Sequence, residues 1–154
     1  MNKVIFECSP ALSIQQLMSS YCRHVDSKDW KGLKSILRKN ITFTFQDESG
    51  RLLNSFKSRK SFLTACLNGI GEATTVHHLH NPEFKIISKN VVEGVWAMED
   101  RFYIPSNAAK PILHGYGHYH VRFYRENSSW QIGDLLLTRI RLHMGNNENI
   151  ISEE

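Results

Sequence analysis

Two features of the chain could do chemistry: a run of histidines, and a carboxylate set among apolar residues. The run is Thr75-Val76-His77-His78-Leu79-His80, with three of the chain's eight histidines inside four residues. The carboxylate is Asp100, in Gly94-Val95-Trp96-Ala97-Met98-Glu99-Asp100-Arg101-Phe102. Alternate side chains of a strand share a face, so Trp96, Met98, Asp100 and Phe102 point one way and Glu99 and Arg101 the other. A buried carboxylate needs a partner. A hairpin centred on Lys89-Asn90 sets His77 across from Phe102, one step along the same face from Asp100 and diagonal to it. Such a His–Asp pair in an apolar pocket is an acid–base device. The carboxylate fixes the ring tautomer and steadies the imidazolium, and an ordinary imidazole titrates near neutrality, at about 6.5. The plainer alternative is a hydrogen-bonded core histidine.

The remaining polar oddities divide by parity. His78 and His80 lie opposite His77, and His-x-His followed by Glu83 resembles a fragment of a cupin metal motif. The acid follows too closely, no second motif is recognisable, and the chain opens with helices, so no metal is expected. In His114-Gly115-Tyr116-Gly117-His118-Tyr119-His120, the two glycines share a face with Tyr119, Val121 and Phe123 and leave room there. His114, His118 and His120 face the other way, toward a polar outer surface or an oligomer interface. Arg139 and Arg141 share parity with Leu135 and Leu137. Either could enter a pocket and anchor an anionic group or polarise a carbonyl. Nothing marks Cys22 or Cys66 as a nucleophile.

The elements that must position these groups are legible from periodicity. Ser13 with Gln16 is a capping-box pattern, and Ile14, Leu17, Met18, Tyr21 and Val25 follow at helical spacing. This predicts a helix over about 13–26 with Tyr21 on its buried face. A short second helix carries Trp30, Leu33, Ile36 and Leu37 and closes at Asn40. Ile41-Thr42-Phe43-Thr44-Phe45 alternates as a strand, Glu48-Ser49-Gly50 turns the chain, and about 58–69 reads as a third helix with Phe62, Leu63, Cys66 and Leu67 inward. Four strands follow, about 74–88, 91–104, 112–126 and 129–143, with tight turns at Lys89-Asn90 and Glu126-Asn127-Ser128 and a longer loop from Pro105 to Pro111. Helices first and then a meander of long strands is an α+β order. The expected fold packs the N-terminal helices in the concave face of a strongly curved, mainly antiparallel sheet, whose cone would hold a small molecule.

Bulk properties narrow the class. A chain of 154 residues with 41% hydrophobic and 22% charged content suits one globular domain, 1–154, with a core over about 10–144 and a polar tail over 145–154. The net charge is +4, but the Lys and Arg residues are scattered, so nucleic acid is not expected as a partner. No apolar run is long enough to cross a membrane, and the N-terminus does not read as a signal peptide. Three cysteines without paired spacing suit a reducing, cytoplasmic setting.

Taken together, Val76 to Phe84, Gly94 to Arg101, His114 to Tyr119 and Leu137 to Arg141 resemble the SnoaL-like branch of the nuclear transport factor 2-like superfamily, near scytalone dehydratase and bile-acid dehydratase. The resemblance spans about 10–144 and is specific for the family but not for a substrate. It implies a catalytic Tyr21, Asp26, His77 and Asp100, with Arg139 or Arg141 matched less closely. Asp26 enters on this ground alone. The apolar neighbours Trp96, Met98, Phe102 and Tyr119 become candidates to bind substrate. The resemblance further implies a cone-shaped pocket, no cofactor, and a homo-oligomer, dimer or trimer. The expected activity is a lyase (dehydratase-like) or isomerase acting on a small hydroxy-carbonyl compound, polyketide-, steroid- or aromatic-like. The alternative is a non-catalytic ligand-binding or protein-interaction module of the same fold.

Overall fold

A computed structural model of the chain describes residues 9–103 and 112–145. The elements run α1 (Pro10–Asp26), α2 (Trp30–Ile36), β1 (Leu37–Gln46), β2 (Leu52–Ser58), α3 (Arg59–Ile70), β3 (Thr74–Ser88), β4 (Val91–Tyr103), β5 (Ile112–Glu126) and β6 (Ser129–Gly145). The strands form one open, curved sheet in the order β2-β1-β6-β5-β4-β3. Every neighbouring pair is antiparallel except β1 with β6. Helix α1 lies against β3 and β6, and α3 against β1 and β2, so the α+β arrangement expected from the sequence is the one observed. The expected Pro105–Pro111 loop, the N-terminal segment through Cys8 and the polar tail beyond Gly145 lie outside the described residues.

Helix α1 is held in place by its apolar stripe. Ile14, Met18, Tyr21, Cys22 and Val25 are all buried at helical spacing. It begins one turn earlier than the capping-box pattern suggests. Ser9 caps it, its hydroxyl accepting from the Leu12 N–H at 3.3 Å, and Pro10 fills the first position, where a missing N–H costs nothing. Its end is a Schellman closure: Lys28 N–H donates to Val25 O and Asp29 N–H to His24 O, with Lys28 at φ 60°. Glycine usually takes that left-handed position.

Three further sequence expectations are corrected. Strand β1 starts at Leu37 and takes in Asn40, which was expected to close α2. Strand β2 was not anticipated: it is an edge strand exposed along most of its length, with Phe56 half-buried, so it lacks the in–out alternation that marks a strand. Leu67, expected inward on α3, is 55% exposed, while Phe62 and Cys66 are buried. The core between helices and sheet centres on Ile14, Met18, Phe43, Phe123, Ile132 and Leu135, each at most 1% exposed. Burying each large side chain contributes about 1.5–3 kcal/mol.

Candidate active site

Three β-bulges decide which residues meet in the concave face. The β3–β4 ladder starts at the Lys89-Asn90 turn as expected, then slips between Ile86 and Ser88 and again between His80 and Glu83. Asn81, at φ 26°, lies in the second slip. His77 therefore faces Asp100 directly, where an unbroken ladder would set it opposite Phe102. The third bulge is on β6. Tyr116 pairs with Arg141 and Gly117 with Arg139, leaving Ile140 as the extra residue. The parity shared by the two arginines ends there: Arg139 turns inward, with its side chain 7% exposed, and Arg141 is exposed. Gly117 permits the bulge, because a Cβ there would overlap Thr138 O and sit 3.1 Å from the Arg139 Cα.

The cavity so formed has a volume of about 400 Å³ and opens among α1, α3 and the sheet. Its polar wall includes Tyr21, His77, Asp100, Tyr119 and Arg139, and Phe45, Phe56, Phe62 and Phe102 are among its apolar lining. Trp96 and Met98, expected to bind substrate, are buried but lie outside the cavity wall. Trp96 packs edge-on against Phe84 and Phe123, and the Met98 sulfur lies 3.7 Å from Arg139 Nη1. Asp26 sits at the back of the His77 ring, in a second cleft shared with His77, Cys22 and Arg23.

The hydrogen bonds differ from the expected His77–Asp100 pair. His77 Nδ1 lies 2.6 Å from Asp26 Oδ1, and the His77 backbone N–H donates to Asp26 Oδ2 at 2.9 Å. Asp100 instead accepts two bonds from Arg139, Nη1 to Oδ1 at 2.6 Å and Nη2 to Oδ2 at 2.8 Å. The physical reason lies in the bulge that turns Arg139 inward: a bidentate guanidinium satisfies a 2% exposed carboxylate better than one imidazole N–H can. A Cβ on Gly115 would overlap Arg139 Nη1 and approach Asp100 Oδ1 to 2.5 Å, so that glycine makes room for the pair.

The electrostatics follow from these contacts. Burial alone would raise the Asp26 carboxyl, but the His77 ring and backbone N–H and the Thr75 hydroxyl together hold it below its ordinary value. With Asp26 ionised, His77 Nδ1 is the donor of this bond, and in the neutral ring Nε2 is then the acceptor. Burial pushes the Tyr21 and Tyr119 hydroxyls well above their ordinary value, so both stay protonated donors near neutrality. Burial lowers the Arg139 guanidinium, yet its bonds to Asp100 outweigh that and leave it raised. The Cys22 and Cys66 thiols are pushed up to about 12 by burial, which removes them as nucleophiles.

The outer face of β5 holds His114, His118 and His120, as their parity predicted. His114 and Arg101 share Glu99, and His120 Nε2 lies 3.1 Å from Thr138 Oγ1. No group of three metal-binding side chains occurs among the described residues. Sequence reasoning missed the lining residues Phe45, Phe56 and Phe62, and two polar residues around Asp26. Thr75 shares His77's parity and could have been found by it. Lys28 gave no signal, since a lysine just past a helix end reads as solvated.

The fold and site define a class. A SnoaL-like domain model matches residues 9–135, and the chain belongs to that family. No curated protein matches it significantly by sequence. Similar solved structures include a hexachlorocyclohexane dehydrochlorinase of type 2, at 17% identity and TM-score 0.72, covering 88% of both chains. A candidate scytalone dehydratase from Novosphingobium aromaticivorans is 16% identical, with TM-score 0.74 over 87% of this chain and 89% of that one. The beta subunit of a benzoate 1,2-dioxygenase from Burkholderia mallei is 13% identical, with TM-score 0.69 over 88% and 93%. At these identities the likeness shows the fold alone.

Proposed function

We propose that the chain is a cofactor-independent lyase of the dehydratase type, or an isomerase, acting on a small hydroxy-carbonyl compound with a ring or polyketide-like body. The observation that carries this reading is the His77–Asp26 bond of 2.6 Å at the wall of an aromatic-lined cavity. Asp26 takes the orienting role that the sequence suggested for Asp100. His77 Nε2 removes the proton on the carbon next to the carbonyl, and Asp26 stabilises the imidazolium that forms. Tyr21, kept protonated by burial, donates to the developing enolate oxygen. The enolate electrons then form the double bond as the carbon–oxygen bond of the hydroxyl breaks, and the imidazolium proton leaves with it as water. Asp100 and Arg139 neutralise each other in the wall and hold its shape.

The same reading extends to assembly and setting. The polar outer sheet face, with His114, His118 and His120, is the surface on which we place a homodimer or trimer contact. Residues about 10–144 act as one domain, and the unpaired Cys22 and Cys66 suit the cytoplasm. No helix among the described residues is long and apolar enough to cross a membrane.

One observation favours the rival reading, a ligand-binding module without chemistry. Among the described residues, every buried side-chain nitrogen and oxygen already has a partner. A panel of β-hydroxy ketones separates the two readings. A dehydratase converts at least one to its enone, and His77→Ala or Tyr21→Phe slows that conversion. Full turnover in either variant refutes the role given to that residue. Saturable binding without turnover on any panel member supports the module.

A further inference from the structure

Behind the His77–Asp26 pair lies a second pair that the reaction does not itself require. Thr75 is 4% exposed, and its hydroxyl lies 2.9 Å from Asp26 Oδ1. Lys28 Nζ lies 2.8 Å from the same hydroxyl and 3.3 Å from Val25 O. An ammonium can only donate. The threonine oxygen therefore accepts from Lys28, and its one hydrogen is turned to Asp26. Lys28 reaches this position from φ 60°, a conformation that a glycine would adopt without strain.

We propose that Lys28 and Thr75 are positioning residues that fix the Asp26 carboxylate toward His77 and keep the ring in its proton-accepting form. The proposal rests on the acid–base reading of His77. A half-buried carboxylate against an imidazole favours the charged ring, which is useless as a base. A cation two hydrogen bonds away opposes that tendency without touching the ligand. The other groups around the pair do not supply this balance. Asp100 from β4 and Arg139 from β6 cancel each other, and Tyr21, Cys22, Cys66 and Tyr119 stay neutral near pH 7. Arg23, His78 and His80 line the outer cleft, and Arg23 is bonded to Ser20. Burial lowers the Lys28 ammonium, while the Asp26 charge works to hold its proton.

The test is an NMR titration of the histidine rings in the full chain, run with melting curves, for Lys28→Gly, Lys28→Met, Thr75→Val and Thr75→Ser. Lys28→Gly removes the cation at a position where glycine relieves backbone strain, so its melting temperature should equal or exceed wild type. In Lys28→Gly, Lys28→Met and Thr75→Val the His77 ring should lose its proton at higher pH than in wild type. The neutral fraction on the acid side then falls about three- to tenfold. Thr75→Ser, which keeps the hydroxyl, should restore the wild-type titration. A His77 titration unchanged in all four variants overturns the proposal. So does a lower melting temperature for Lys28→Gly with an unchanged titration, which would assign Lys28 to fold support alone. The titration needs no substrate. A shift without turnover on any ketone therefore sinks the dehydratase reading and leaves the positioning role of Lys28 and Thr75 standing. Turnover that depends on His77, with no shift, does the reverse.

Discussion

Removing Arg139 should cost the fold more than any other single change at the site. Its side chain is 7% exposed and that of Asp100 is 2% exposed, and the two share bonds of 2.6 and 2.8 Å. Arg139→Met keeps the stem and deletes the guanidinium, leaving a buried carboxylate with no cation. Breaking a buried pair from one side costs about 3–5 kcal/mol. For a chain of 154 residues each kcal/mol lowers the melting temperature by about 2–4 °C. The expected loss is therefore about 6–20 °C, a large share of a stability of about 5–15 kcal/mol. Replacing both partners, Asp100→Leu with Arg139→Met, should restore most of it, because no charge is left buried. Urea melts of the two single variants and the double variant give the coupling directly. An Arg139→Met protein within about 1 kcal/mol of wild type would refute the reasoning, as would a double variant as weak as the two single losses added together.

Other perturbations follow from the same contacts. Gly115→Ala places a methyl into the Arg139–Asp100 pair and should destabilise by about 1–3 kcal/mol in the same melts. The Asp26 carboxyl is held below its ordinary value, so its stabilisation is present above the unfolded-state value of about 4 and is lost as pH falls through the folded one. Wild-type stability should accordingly drop more steeply than that of Asp26→Asn below about pH 4, as read by urea melts at stepped pH. With thiols near 12, about one Cys22 or Cys66 in ten thousand is ionised at pH 8, so alkylation of these two in the folded protein should be far slower than in urea.

How much the sequence disclosed depended on whether a residue's neighbours were local. Tyr21 and the α1 stripe were legible because helical periodicity alone sets them. The shared face of His77 and Asp100 was legible from strand parity, which survives the two slips in the β3–β4 ladder together. Their actual partners were not legible, because bulges are backbone events with weak residue signatures. The bulge at Ile140 separates Arg139 from Arg141 and gives Asp100 its guanidinium. Asp26 looked like a helix-end acid, and only the crossing of α1 over β3 makes it the partner of His77. Strand β2 was missed because an edge strand exposed over its first four residues carries no alternation there.

The central claim is that His77, held by Asp26, takes a proton from carbon. It is tested most directly by deuterium exchange in heavy water, using ketones that fit the cavity but lack the leaving hydroxyl. Exchange next to the carbonyl reports proton abstraction without the later steps. The account predicts exchange catalysed by wild type, and a loss in His77→Ala of about 10²–10⁴-fold, the usual share of a general base. Asp26→Asn should also lose most of it while still binding the ketone. Undiminished exchange in His77→Ala would contradict the account.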